Sequence, residues 1–284
     1  MKILETFDEY TGIVKEVKSV CRRPFSNIFY MSDEIKKYIE SGRLAYERTE
    51  GGIIFFEDEK LYYRVCLYVN EQEKFMIYPQ NKKILIRNIY KTKEKGESLQ
   101  RVEQRLGELG FQKKGTTIGI QGEPLKIFQR CDQIGKYAKA LEKKGYRCLE
   151  ADFSKFREIE AMILDSGIIQ DYQLDYRTDD EKRRLERGSY LYMVDGDGQI
   201  CAASLCFIEG GIAKVDGVAV KEKYKTRGLA PCLTYHRFKW MHDKGVRLVQ
   251  GWILTNNVPS LRYHRSLGYE FMDKYADEWI LEAR

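Results

Sequence analysis

The sequence is poor in the residues from which metal sites and disulfide frameworks are built. Its three histidines, His236, His242 and His264, show no HExxH or carboxylate spacing, and its seven cysteines are scattered and include no CxxC pair. This excludes a zinc knuckle and a secreted disulfide scaffold, and no metal site is expected. The thiols read as reduced, buried small hydrophobes. No apolar run approaches the length of a membrane span, and the opening stretch MKILETFDEYTGIVKEVKSV carries a charge every few residues, unlike the core of a signal peptide. A cytoplasmic protein with no membrane partner is expected. Proline is scarce, with five residues against 20 Tyr and 13 Phe, so neither a disordered nor a fibrous chain fits.

What is present is a well-mixed charged surface and enough apolar chain for a sizeable core. Lys and Arg exceed Asp and Glu by 49 to 43, a balance of +6 that suits an anionic ligand but is too diffuse to call for nucleic acid, and none is expected as a partner. A chain of 284 residues exceeds the usual single-domain size.

Periodicity orders the chain. SDEIKKYIESG reads as a helix capped by Ser32 and stopped by Gly42. GIIFFEDEKLYYRVCLYV reads as a hairpin, KKILIRNIY as a strand, and Glu97 to Leu109 as a helix with Leu99, Val102, Leu106 and Leu109 on one stripe. TTIGI resumes strand character, and IGKYAKALEKKGYRC is a charged helical stretch near the boundary between two halves. In the second half, Phe153, Phe156, Ile159 and Ile163 have helical spacing, and TDDEKRRLERG is a short helix with a capping box from Thr178 to Glu181. SYLYMV and QICAASLCFI flank the turn DGDG, which lacks the remaining ligands of a calcium loop. Then come a strand over Ile212 to Val220, a helix from about Gly228 to Lys244, a strand over Arg247 to Leu254, a helix over Ser260 to Leu267 and a last strand from about Tyr275. LGELGFQKK and RSLGYEFMDK echo one another, which suggests a duplicated fold.

Two features point to chemistry. In IAKVDGVAV, Ala213 and Val215 share one parity while Val218 and Val220 share the other, so the phase slips at Asp216 and Gly217 as it does in a β-bulge. In YKTRGLAPCLTYHRFKWMHDKG, Pro231 is tolerated only in a first turn, which puts the helix start beside Gly228. Unpaired N–H groups there, with Lys225 and Arg227 adjacent, suit a phosphate group, and Gly228 and Ala230 leave the backbone approachable. The stripe Leu229, Leu233, Trp240 reads as core.

VAVKEKYKTRGLA resembles the acyl-coenzyme A signature of the GCN5-related N-acetyltransferase family, with Lys225 in place of the usual Gln or Arg, followed by Thr226, Arg227, Gly228, Leu229 and Ala230. NNVPSLRYHRSLGYEF is similar to the family's second element, with Asn257, Ser260, Gly268 and Tyr269 in place. The family's tyrosine position falls on His264, and Tyr263 is one residue early.

The resemblance implies an α/β fold of two tandem GNAT-like domains, each a mixed, mostly antiparallel sheet flanked by helices. Residues 1–140 would be a degenerate domain that does not bind coenzyme A, and residues 141–284 the catalytic acetyl-CoA-binding domain. It implies transfer of an acetyl group from acetyl-CoA, the co-substrate, to a primary amine of a small molecule or peptide, by direct attack. Backbone groups of Val218, Ala219 and Val220 would receive the acyl end, and residues Lys225 to Ala230 the diphosphate. A lysine-like amine with pKa about 10.4 is neutral in only about one molecule in 2,500 at pH 7. Asp216 is therefore a candidate base or amine-binding residue, against a role in shaping the bulge. The departing thiolate benefits from a donor, and His264, Tyr263 or no dedicated group are the open choices; His264 would serve if a neighbour raised its pKa. Asn257 either bonds the pantetheine arm or caps its helix. A non-catalytic acyl-CoA binding or sensing protein and an aminoacyl-transferase are the alternative functions.

Overall fold

GIIFF and YYRVCLYV are apolar without interruption because both faces of their strands are covered. Ile54, Phe56, Val65 and Leu67 pack against Val102 and Leu106 on one side, and Ile53, Phe55, Cys66 and Tyr68 pack against Ile13, Val17, Ile35 and Ile39 on the other. The computed structural model describes residues 1–21, 24–27, 32–59, 61–70, 75–78, 80–92, 95–152, 154–166 and 190–283. Phe153 and the stretch TDDEKRRLERG fall outside the described residues, as do the side chains of Glu34, Asp132, Gln133, Tyr190, Phe207, Glu209 and Asp216.

The chain divides into two units, Met1–Thr117 with Asp273–Arg284, and Ile118–Met272. The single boundary expected near residue 140 therefore lies elsewhere. The difference arises because the charged helical stretch over residues 132–143 buries Ala138 and Leu141 against Leu229, Cys232 and Leu233, and so belongs with the second unit.

The first unit contains β1 (Lys2–Ile3), α1 (Phe7–Val20), β2 (Phe25–Ser26), α2 (Ser32–Glu40), β3 (Leu44–Thr49), β4 (Gly52–Asp58), β5 (Tyr62–Val69), β6 (Lys83–Tyr90), α3 (Glu97–Glu108) and the first part of β7 (Gln112–Gly122). α1, an addition to the elements expected from periodicity, starts where the Thr6 hydroxyl accepts from the Glu9 N–H, and it buries Ile13 and Val17. β3, β4 and β5 pair antiparallel, β5 and β6 pair parallel, and β6 pairs antiparallel with residues 275–281 of β13 (Glu270–Leu281). β13 is thus an interior strand of this unit, between β6 and β7.

The second unit contains the end of β7, α4 (Pro124–Arg130), α5 (Asp132–Lys143), β8 (Arg147–Glu150), α6 (Phe156–Asp165), β9 (Tyr190–Val194), β10 (Ile200–Glu209), β11 (Ile212–Val220), α7 (Leu229–Asp243), β12 (Leu248–Leu254), α8 (Val258–Ser266) and the start of β13. β8 to β11 are successive antiparallel neighbours, and β11 pairs parallel with β12. α6 covers one face through Phe156, Ile159 and Ile163, which meet Tyr192, Ala203, Leu205 and Ala219. α4, α7 and α8 cover the other through Ile127, Phe238, Met241 and Leu267, which meet Val215 and Val249.

Candidate functional site

β11 and β12 are partners only from Ile212/Leu248 to Val215/Gly251. Beyond that point β11 runs five residues further, to Val220, and the two strands part. Gly251 marks the fork: a Cβ there would lie 3.1 Å from Val215 Cγ2 and 3.2 Å from the Val215 carbonyl oxygen, so the last paired step needs a residue without one. The expected bulge is present. Leu205 faces Asp216 while Ser204 faces Val218, which leaves Gly217 as the extra residue, in the left-handed region at φ 60°.

The register also fixes which backbone groups face the fork. Lys221 N–H donates to Cys201 O at 3.0 Å, so 221/201 is a hydrogen-bonded pair and 219/203 is the next. Val218 and Val220 stand in the alternate, non-hydrogen-bonded positions opposite Ser204 and Ala202, and their N–H groups point away from β10, toward the side that β12 has left. Ala219 turns its backbone groups back to β10 and its side chain to the α6 face. Of the three residues expected to offer donors, Val218 and Val220 turn their N–H groups to that side and Ala219 does not. Asp216 contributes its backbone to β11, and its side chain lies outside the described residues.

The loop after β11 ends at Gly228, which caps α7 in the left-handed region at φ 72°, and Thr226 shares that region at φ 66° although it is not a glycine. α7 starts at Leu229, as Pro231 requires. A Cβ at Gly228 would also meet the far end of the Tyr137 ring of α5, whose hydroxyl donates to Arg227 O at 2.7 Å. Arg227 donates to the Tyr146 hydroxyl at 3.2 Å and lies over the Tyr224 ring, whose hydroxyl is held by Asp195. Lys225 pairs with Glu222 at 2.6 Å, but both are exposed, so the pair is easily exchanged for another anion. Leu229 is buried in the core and offers only its backbone, while Ala230 is half-buried in the first turn. Tyr137 and Tyr146 escape a reading of the sequence, because they precede their partner Arg227 by 90 and 81 residues and carry no local signal.

On α8, Asn257 caps the helix, its Oδ1 accepting from Ser260 N–H at 3.2 Å. His264 Nδ1 lies 2.8 Å from Ser260 O; a carbonyl can only accept, so Nδ1 carries the proton and Nε2 is left as an acceptor when the ring is neutral. Its pKa is lowered on balance. Burial lowers it, the Ser260 carbonyl partly opposes this, and the charge of Arg237 lowers it further. Tyr263 is raised by burial, with the Thr234 hydroxyl and Arg237 opposing, and its hydroxyl is buried beside Thr234 without a hydrogen bond of good geometry. The Tyr269 ring lies 5.1 Å from that of His264, and burial raises its phenol strongly.

Arg237 is absent from the candidates that the sequence suggests. It is 2% exposed on α7 and no carboxylate pairs with it among the described residues; Nη1 donates to Ser204 Oγ at 2.8 Å, and Nε has no partner. A signal for it exists: Leu229, Leu233 and Arg237 are spaced four apart, so a cation sits on the buried stripe.

In the first unit, β5 and β6 are parallel partners only up to Val65/Ile86, and the Asn27 side chain fills the space beyond. Its Nδ2 donates to Val65 O at 3.3 Å and Arg87 O at 3.2 Å, and its Oδ1 accepts from Leu67 N–H at 2.6 Å.

Among the described residues, no group of three or more His, Cys, Asp or Glu could hold a metal ion, and no helix is long and apolar enough to cross a membrane. All seven cysteines are free, and burial pushes the Cys201 thiol up to about 11 and that of Cys232 to about 12.

Residues 153–269 match the model of the acetyltransferase (GNAT) family. A GCN5-related N-acetyltransferase from Sphaerobacter thermophilus is similar in structure, with TM-score 0.55 and 12% identity over 89% of this chain and 86% of that one. A tandem GNAT protein from the clavulanic acid biosynthesis pathway gives 0.53 and 12% over 99% and 97%. A Drosophila protein gives 0.55 and 13% over 100% and 99%. Comparison with curated proteins gives no match for the chain. At such identities the structural likeness speaks for fold, and the family match speaks for part of the second unit: residues 153–269 match the GNAT family, in a chain folded like two tandem GNAT domains.

Proposed function

We propose that the second unit transfers an acetyl group from acetyl-coenzyme A to a primary amine of a small molecule or peptide, by direct attack. The observation that carries this reading is the fork between β11 and β12, with the N–H groups of Val218 and Val220 aimed into it and a helix start beside it. The coenzyme would supply the activated acyl group. Val218 and Val220 N–H are suited to receive the acyl oxygen and to stabilise the charge that develops on it. Lys225, Thr226, Arg227, Gly228, Leu229 and Ala230 are suited to hold the diphosphate through backbone N–H groups and two exposed cations. Tyr263 keeps its proton through burial and is the preferred candidate donor to a departing thiolate, because His264 has committed its Nδ1 proton to Ser260. His264 Nε2 is instead an acceptor.

The first unit does not hold coenzyme A in this reading, because Asn27 already bonds the backbone groups of its fork. Calorimetry of the full chain with acetyl-coenzyme A should therefore give one site per chain, and thiol release should accelerate with at least one member of a panel of primary amines. Failure to bind acetyl-coenzyme A would sink the coenzyme reading. Binding without amine-dependent thiol release would favour a non-catalytic acyl-coenzyme A binder.

A further inference from the structure

We infer that Arg237 acts through Ser204 to polarise the peptide between Gly217 and Val218, making the Val218 N–H a stronger and better-oriented donor into the β11/β12 fork. The route is a continuous chain of contacts. Arg237 Nη1 donates to Ser204 Oγ at 2.8 Å, and Ser204 Oγ, having accepted that bond, donates its own proton to Gly217 O at 3.1 Å. Gly217 O belongs to the same trans peptide as Val218 N–H, so the two point in opposite directions. The carbonyl faces β10, where Ser204 resides, and the N–H faces the fork, which agrees with the orientation obtained independently from the β10/β11 register.

The electrostatics favour such a relay. Arg237 and Ser204 are 2% and 1% exposed, so solvent screens the guanidinium little, and no described carboxylate neutralises it. Bonds in a chain polarise one another: a cation donating to a hydroxyl makes it a stronger donor, and a carbonyl that accepts from such a hydroxyl draws charge from its own N–H. Among the described residues no carboxylate meets this cation, and a buried guanidinium that bonds a hydroxyl is not what packing alone would select on an apolar stripe. The same charge bears on His264, Tyr263 and Tyr269, so it is felt across the space between α7, α8 and the sheet. Arg237 is therefore a positioning residue. It touches the bulge through Ser204, and the bulge presents the donor.

The inference rests on the acetyl-coenzyme A reading for its purpose but not for its test. In valine-labelled protein without ligand, the Val218 amide proton should move upfield in Ser204→Ala and in Arg237→Gln, further than the amides of valines outside the site. Ser204→Ala is nearly isosteric and decides the matter alone if Arg237→Gln does not fold. With carbonyl-labelled acetyl-coenzyme A bound, the carbonyl stretch should return toward its free value in both variants while affinity stays within about threefold, since only the oxyanion donor is weakened. Where an amine substrate is found, kcat should drop roughly tenfold with little change in KM, less than the loss of a whole oxyanion donor. A purely structural role for Arg237 would lower stability and leave the carbonyl stretch alone. An unmoved Val218 amide in Ser204→Ala overturns the relay and leaves the coenzyme reading intact. Absence of acetyl-coenzyme A binding to the unaltered protein overturns the coenzyme reading, and the amide result still decides the relay.

Discussion

A histidine that gives its Nδ1 proton to a carbonyl one turn back, in a half-buried place with a guanidinium nearby, is held neutral. For His264 the direction is set chiefly by burial. The consequence for stability has a definite sign. The unfolded chain protonates His264 at its ordinary pKa of about 6.5, whereas the folded chain does so only at lower pH. Between those two values the unfolded state binds more protons, so the contribution of this residue to stability is full above about 6.5 and is lost as the pH falls through that window. His264→Gln, which keeps a polar side chain on α8, should flatten this part of the profile. Chemical denaturation of both proteins across the window measures it. Parallel profiles would mean that His264 titrates in the fold as it does in water.

Two parallel strand pairs, β5/β6 and β11/β12, each part after a few residues, but the backbone groups beyond the split are treated differently. At β11/β12 the bulge at Gly217 and the fork at Gly251 leave Val218 and Val220 N–H without a strand partner. At β5/β6 one side-chain amide bridges both strands, and Asn27 is only 6% exposed, so its three bonds are made out of water. Asn27→Ala should leave two carbonyls and an N–H buried and poorly satisfied, lowering stability by about 1–3 kcal/mol, which urea unfolding of the variant measures. A variant as stable as the parent would show that water replaces the amide at no cost. The contrast between the two forks also marks how far sequence carries. The bulge is legible because parity slips along β11, and the helix start because Pro231 fits only a first turn. The hairpins β4/β5 and β9/β10 are legible because turn residues separate apolar runs. Asn27 is not, since an asparagine after a two-residue strand has the local features of a loop, and its partners lie 38 to 60 residues away. Gly251 is equally silent, because LVQGWIL reads as any buried strand and its need for glycine comes from Val215 on a neighbour.

At the scale of the whole chain, the first unit is completed by the last segment of the sequence. Residues 273–281 of β13 lie between β6 and β7 in that unit, and they bring Trp279 and Leu281 into the cluster that contains Ile84, Ile86, Val102 and Leu106. They also bring Asp277, which is fully buried, bonds the Thr116 hydroxyl, and pairs with Lys113 at 2.7 Å. Glu103 stands beside it, and burial together with this carboxyl neighbour pushes its pKa up to about 7. No local pattern announces this arrangement, because a strand inserted from about 190 residues away leaves its mark only in the pairing. Removing residues 273–284 should therefore do more than trim an end. It strips an interior strand, opens two ladders, and withdraws Trp279, Ile280 and Leu281 from cover, each worth about 2–5 kcal/mol when truncated in a core. Their sum exceeds or matches the whole net stability of about 5–15 kcal/mol that a domain usually has. Limited proteolysis of the shortened chain should accordingly cut throughout residues 1–117, at sites that the full chain protects. A shortened chain that resists cleavage there as well as the full one would mean that the first unit closes its sheet without β13.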